Sequence, residues 1–142
     1  MLIWYGNRIQ RQIIAEVNER LVASGEIVKE TARKSMPLNL VQGIKPTPRS
    51  KPGEPPFAQT QKLWKSIEVV KEPVKMRVKV GTKVSYGKDL EFGTANMRWR
   101  PWLVPALVRS TPKIKALFAV PLKLGGDAVV DPVQIFGVQI KR

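Results

Sequence analysis

The crowding of proline between residues 37 and 56, where six of the chain's 12 prolines lie, most constrains the fold. Proline removes a backbone donor, fixes φ and biases the residue before it towards extended conformations, so this part of the chain cannot form regular helix or sheet. We therefore expect a long Pro-rich loop or arm over residues 35–62, inside a single domain of residues 1–142. A loop of this length in a small domain is typically functional or becomes ordered on a neighbour.

Basic side chains accompany the prolines along this arm, at Lys45, Arg49 and Lys51. Their charge and the exposure expected of such a loop indicate an arm rather than a core element. We predict that these three residues, together with Phe57, contact a neighbouring subunit or protein.

An amphipathic helix is predicted before the arm, over residues 7–34. Apolar residues recur there at every fourth position, namely Ile9, Ile13, Val17 and Leu21. This spacing gives one apolar face that packs on a core. Asn7 is of the residue type that caps helix N-termini, and Gly25 is a position where the helix could be interrupted or kinked.

A β-hairpin is predicted after the arm. The segment "SIEVV" (66–70) is typical of a strand, and the alternation of apolar and basic residues over 74–80 is typical of a second, half-buried strand. Lys71-Glu72-Pro73 is the predicted turn. The basic face of the second strand, formed by Lys75, Arg77 and Lys79, predicts contact with DNA or an acidic partner.

The remaining predicted elements complete an α+β fold. Residues 83–94 predict a short strand or helix that turns at Gly93-Thr94, and a second helix is expected from Pro101 to Phe118. Within the tail, residues 119–142, Gly125-Gly126-Asp127 is a predicted turn before a final strand over 133–140. The expected fold is a small antiparallel sheet packed against a long N-terminal helix and a second helix.

Net charge and composition restrict the function. The 25 basic and 11 acidic residues give a formal net charge of +14, which attracts nucleic acid, an anionic membrane or an acidic protein. No apolar run reaches the roughly 18 residues of a membrane span, so no membrane partner is expected. The chain is expected to be made in the cytoplasm, and to be used there or in an assembly built there.

Catalysis is disfavoured because the chain has neither Cys nor His. Disulfides, Cys- or Cys/His-ligated zinc, a Cys-His pair and a Ser-His-Asp triad are thereby excluded. Asp89 and Glu91 form an acidic pair beside aromatic residues, but no neighbouring group completes an active site. We expect no enzyme activity and no cofactor, and leave open only a weak magnesium site at this pair.

The segment "MRWRPW" (97–102) alternates Arg with Trp. Nucleic-acid sites use these residue types for phosphate contacts and stacking, and the centres of protein interfaces are enriched in them as well. From the residues alone the two interpretations remain open.

Three segments resemble one known family in both order and spacing. They are "TQKLWKSI" (60–67), "VGTKVSYGKDLEFGT" (80–94) and "RPWLVPAL" (100–107). Together they resemble the "TGxLxxSI", "VGTxxxYxxxxEFGT" and "RPFLxPAL" elements of the head-to-tail joining, or neck, proteins of long-tailed bacteriophages, also described as tail-completion-like. The resemblance covers roughly residues 7–118. This chain has Gln61 where the family usually has Gly, and Trp102 where it usually has Phe.

The resemblance implies a non-enzymatic structural protein of the virion, made in the host cytoplasm. Such proteins form an oligomeric ring at the head-tail junction, between the portal or connector of the DNA-filled head and the tail. The implied partners are other copies of the chain, the head-connector and tail-terminator proteins, and DNA in the channel. A basic nucleic-acid-binding protein is the alternative.

The resemblance also assigns residues to a structural joint. Those residues are Tyr86, Leu90, Glu91, Phe92, Gly93, Thr94, Arg100, Pro101, Trp102, Pro105 and Leu107. The first two and Phe92 would pack the sheet against the helix, while Glu91 would pair with Arg98 or Arg100. The Gly-Thr pair would form the turn, and the residues from Pro101 onward would start and seat the second helix.

Overall fold

Four helices and two antiparallel strand pairs make up the computed structural model, which describes residues 6–37, 50–57, 61–124 and 128–130. The helices are α1 (Gly6–Ser35), α2 (Lys62–Ser66), α3 (Tyr86–Phe92) and α4 (Val104–Ala119). The strands are β1 (Ile67–Glu72), β2 (Arg77–Thr82), β3 (Leu122–Leu124) and β4 (Ala128–Val130), with a 3-10 turn at Pro73–Lys75 between β1 and β2. The predicted α+β class, with a long N-terminal helix packed on a small antiparallel sheet, is confirmed.

The predicted N-terminal helix is confirmed as a single helix of 30 residues, with Asn7 inside its first turn. The helix is not interrupted at Gly25, which is buried against the hairpin. A Cβ atom at this position would lie 2.7 Å from Cγ1 of Val69 and equally close to Cγ1 of Val78. The glycine therefore lets α1 approach the β1–β2 sheet more closely than any other residue would allow.

The predicted hairpin is confirmed, but its turn lies further along the chain. Strands β1 and β2 pair from Ile67 with Thr82 to Glu72 with Arg77, so the loop comprises residues 73–76. Proline cannot donate to a strand ladder, which explains why pairing stops before Pro73. Val74 is 96% exposed and belongs to the 3-10 turn, so the alternating strand does not begin there.

The core lies where α1, α2, β1 and the start of α4 meet. Its buried residues are Ala32, Met36, Leu63, Ile67, Trp102 and Ala106. Trp102 is 2% exposed, and its indole N–H donates a 3.0 Å hydrogen bond to the carbonyl oxygen of Gly87. A buried tryptophan contributes a large apolar surface but needs a partner for its N–H, and both conditions are met here.

The predicted second helix is present, but α4 begins at Val104 rather than at Pro101. Pro105 occupies its first turn, where the missing N–H leaves no bond unmade. The helix also continues through Pro112, which the sequence marks as a kink or an end. Pro112 and Val108, the residue whose carbonyl loses its helical donor, are both exposed, so that carbonyl lies on the solvent side.

The C-terminal described part is a short hairpin, β3–β4, whose first strand contacts α1. The predicted turn at Gly125-Gly126-Asp127 and the predicted strand over 133–140 lie outside the described residues. Residues 38–49 and 58–60 of the arm lie outside them too. None of the helices that the structure describes is both long enough and apolar enough to cross a membrane.

We predict that Gly25→Ala destabilises the protein although alanine is the better helix former. The gain in helix propensity is about 1 kcal/mol, whereas overpacking a stiff core costs about 1–3 kcal/mol. Gly81→Ala is the matched control, because a Cβ there meets nothing within 4 Å. Urea unfolding should show a lower midpoint for Gly25→Ala only, and a higher midpoint would contradict the close packing of α1 on the hairpin.

Candidate functional site: the α3–α4 joint and an adjoining cleft

The segment that carries most of the motif residues folds as a tight connection between α3 and α4. Gly93 ends α3 with a φ of 78°, and its N–H donates to the carbonyl oxygen of Asp89 at 2.8 Å. A Cβ at Gly93 would lie 2.9 Å from backbone atoms of Met97 and Trp99, so both φ and space require glycine. Thr94 and Met97 then exchange backbone hydrogen bonds of 2.8 and 3.2 Å. The predicted turn lies slightly further along the chain: Gly93 ends α3, and the turn itself is formed by Ala95 and Asn96 between Thr94 and Met97.

Glu91 holds the N-terminus of α4. Its carboxylate accepts three backbone N–H groups, from Trp102 at 2.8 Å and from Leu103 and Val104 at 2.9 Å each. The first N–H groups of a helix have no partner within the helix, and the helix dipole favours a negative charge at that end. The predicted pairing of Glu91 with Arg98 or Arg100 is therefore wrong, because the backbone of the α4 start takes both oxygens.

Arg20 holds the other end of α4, a role that the sequence analysis missed. Its guanidinium donates to the carbonyl oxygens of Leu117 (3.4 Å), Val120 and Pro121 (2.9 Å) and forms a 3.1 Å ion pair with Glu16. The arginine is only 7% exposed. One feature of the sequence could have indicated this role. Arg20 follows Val17 by three residues and so lies on the apolar stripe of α1, where a buried arginine needs buried acceptors.

Arg100 ties the described part of the arm to the α3–α4 connection. Its Nε donates to the carbonyl oxygen of Ser50 at 3.1 Å, and its backbone N–H donates to Leu90 at 2.7 Å. The N–H of Gly53 donates to the carbonyl of Trp99 at 3.0 Å. Residues 50–57 therefore lie against the connection and do not extend away from it.

A cleft of about 770 Å³ opens between residues 50–57, α2, α3 and the connection. It brings together predicted residues from separate parts of the chain, namely Phe57, Tyr86, Leu90 and Arg100. Lys51 of the arm is exposed and does not line the cleft, while Lys45 and Arg49 lie outside the described residues.

The predicted packing roles hold only in part. Leu90 packs against the core, but Phe92 is 72% exposed and the prediction that it packs the sheet against the helix is wrong. Tyr86 is partly exposed at the cleft. Pro101 is buried ahead of α4, whereas Leu107 lies on the exposed side of that helix. An alternating pattern cannot reveal these directions, because 86–92 is helical and its side chains repeat every 3.6 residues.

The predicted basic face of the hairpin is partly neutralised. Glu72 pairs with Arg77 at 2.6 Å and with Lys79 at 2.5 Å, and Lys75 lies in the turn rather than on the strand. Hydrogen bonds from Lys79 and Arg77 lower the pKa of Glu72. The prediction of an all-basic strand face is therefore wrong, because the carboxylate that precedes the turn reaches across to both cations.

The acidic pair considered for catalysis does not form a joint site. Glu91 is occupied by the α4 backbone, and Asp89 is exposed. Among the described residues there is no group of three or more Asp and Glu side chains that could hold a metal ion. The carboxylate of Glu91 therefore caps the N-terminus of α4 and fixes the position of that helix.

We predict that Glu91→Ala destabilises the protein by about 2–3 kcal/mol, because three N–H groups lose a charged acceptor. Glu91→Gln, which keeps one acceptor oxygen but no charge, should lose less. Asp89→Ala removes a neighbouring exposed carboxylate and serves as the control, with an expected change below about 0.5 kcal/mol. Equal urea midpoints for Glu91→Ala and Asp89→Ala would refute the capping role.

We also predict that Gln61→Gly stabilises the protein. Gln61 precedes α2 with φ 55° and ψ 1°, a left-handed conformation that costs a non-glycine residue about 1–2 kcal/mol. Glycine loses about 0.5–1 kcal/mol through its freedom in the unfolded chain, so a net gain of roughly 0.5–1 kcal/mol remains. Gln10→Gly, at an exposed site inside α1, should instead lower the thermal midpoint. A lower midpoint for Gln61→Gly would contradict this account.

No protein-family model, curated protein or solved structure matches this chain. The likeness to the neck proteins of long-tailed phages therefore rests on the three quoted motifs alone. The structure adds the positions and contacts of these motifs in the fold.

Proposed function

We propose that this chain is a structural protein of the neck of a tailed-phage virion, forming an oligomeric ring that joins the DNA-filled head to the tail and lines the DNA passage. The observation that carries the proposal is the convergence of the three motifs on one point of the fold. Leu63 and Ile67 from the first motif pack in one core with Trp102 from the third. Trp102 donates its indole N–H to Gly87 of the second motif.

The polar contacts of the motifs support the same role. Glu91 of the second motif binds the backbone of Trp102, Leu103 and Val104 in the third. The three motifs thus act as one architectural unit, as expected of a protein whose task is to hold shape between neighbours. The described acidic side chains of this region take part in helix capping or face solvent.

The outer face of α4 supports the assembly into a ring. Val104, Leu107 and Val108 follow helical spacing and are each about half exposed or more. Contiguous exposed apolar side chains mark interaction surfaces. A ring arises from heterologous contacts, in which this face of one copy meets a different face of the next.

A basic nucleic-acid-binding protein remains the second candidate, and one observation favours it. Trp99 is 54% exposed between Arg98 and Arg100 in the α3–α4 connection. Single-stranded nucleic acids stack their bases on such aromatic rings while cations contact the phosphates.

We predict that a phage with a nonsense mutation in the gene for this chain accumulates DNA-filled heads beside free tails. The physical reason is that head and tail lack the ring that bridges them. Negative-stain electron microscopy of lysates gives the readout, and supplying the intact gene in trans is the control that should restore joined particles.

Normally joined, infectious particles from the mutant would sink the neck proposal. Binding of the purified chain to DNA would then be measured against salt, because phosphate contacts release counterions and give a steep salt dependence.

A further inference from the structure

The cleft beside the α3–α4 joint carries an unbalanced positive charge. Lys62, Arg98 and Arg100 line it, and none of the described residues that line it is Asp or Glu. Segments 38–49 and 58–60, which are adjacent in sequence to lining residues, contain no Asp or Glu either. Any counter-charge in the cleft must therefore come from outside these parts of the chain.

The cations at the cleft, like most described basic residues, form no ion pair with a described carboxylate. Glu16, Glu26, Glu30, Glu68 and Glu72 all form ion pairs with Lys or Arg at other places. Among the ion pairs of the described residues, none involves Lys62 or Arg98, and both side chains are exposed. Arg100 uses its Nε on the Ser50 carbonyl, a neutral acceptor, and forms no ion pair with a carboxylate in the described part of the chain.

The apolar part of the cleft lining is mainly aliphatic. Met36, Leu63, Leu90 and Met97 contribute aliphatic side chains, and Phe57 and Tyr86 contribute aromatic ones. Nucleic-acid strands stack successive bases on aromatic faces, whereas a lining with more aliphatic than aromatic side chains favours an apolar amino-acid side chain. A volume of about 770 Å³ lies in the range of sites that enclose a ligand or a short peptide segment.

We propose that this cleft binds an extended acidic peptide segment of a neighbouring protein. Carboxylates of the segment pair with Lys62 and Arg98, and an apolar side chain of the segment rests on the half-buried Leu90 and Met97. The acidic-peptide site extends the proposed function. It rests on that function only where it assigns the neighbouring protein to the same assembly. Arginine and lysine at an interface give specificity and a faster encounter with an acidic partner.

The test measures binding of a fluorescein-labelled octapeptide of alternating Glu and Leu to the full chain by fluorescence anisotropy. Lys62→Glu/Arg98→Glu reverses the charge of the cleft and leaves the structural Arg100 in place. Lys113→Glu/Lys115→Glu is the matched control, with the same change in net charge on exposed residues of α4. We expect the Kd to rise at least tenfold for the cleft variant and less than threefold for the control, with unchanged urea midpoints.

Equal weakening by the two variants would overturn the proposal, because binding would then reflect net charge alone. The proposal would also be overturned if an octathymidylate bound more tightly than the peptide and lost more affinity in the cleft variant, since the cleft would then be a nucleic-acid site. An octapeptide of alternating Gln and Leu should bind at least tenfold more weakly than the Glu peptide. Equal binding of the two peptides would refute the role of the carboxylates.

Failure of this inference and failure of the neck proposal are separable. Free heads and tails from the nonsense mutant, together with equal weakening by the two variants, would overturn the acidic-peptide site alone. Joined particles from the mutant, together with selective loss of peptide binding in the cleft variant, would overturn the neck proposal while supporting the site.

Discussion

The fold depends on two charged side chains that hold α4 at its opposite ends. Glu91 of α3 accepts the free N–H groups at the start of α4, and Arg20 of α1 donates to carbonyl groups in the last turn of α4 and just beyond it. Each sign matches the helix dipole, negative at the N-terminus and positive at the C-terminus. Leaving such groups unsatisfied inside the protein costs about 1–3 kcal/mol each, so the position of α4 is fixed by polar contacts as well as packing.

The same joint fixes the cleft. Arg100 and Trp102 are separated only by Pro101, yet the first binds Ser50 of the arm and the second fills the core. A disturbance of the Glu91 cap would displace the cleft wall that carries Arg98 and Arg100, which connects the stability of the joint to the shape of the cleft.

The helices and strands that depend on a local pattern of apolar residues could be predicted from the sequence. The four-residue spacing of Ile9, Ile13 and Val17 predicted α1, although burial begins only at Val17 and Ile9 is 43% exposed. The alternation that ends at Val80 predicted β2, because such a pattern reflects partial burial of one face. The capping by Glu91 was not predictable, since it depends on the path of the chain after Gly93. The contacts of Arg20 with the end of α4 join residues about 100 positions apart, and no local pattern encodes such a separation.

Few carboxylates of the described residues are free to offset the basic side chains on the surface. Most described glutamates pair within the subunit or cap a helix, so the excess of basic residues, 25 against 11, remains on the surface. In the proposed ring, copies of one such chain would repel each other, because like net charges oppose close approach. Cohesion of the proposed ring would then come from the apolar face of α4 and from the acidic segments proposed to bind the cleft. Screening by salt weakens the repulsion between copies and the attraction to neighbours alike, so only the apolar contribution persists at high ionic strength.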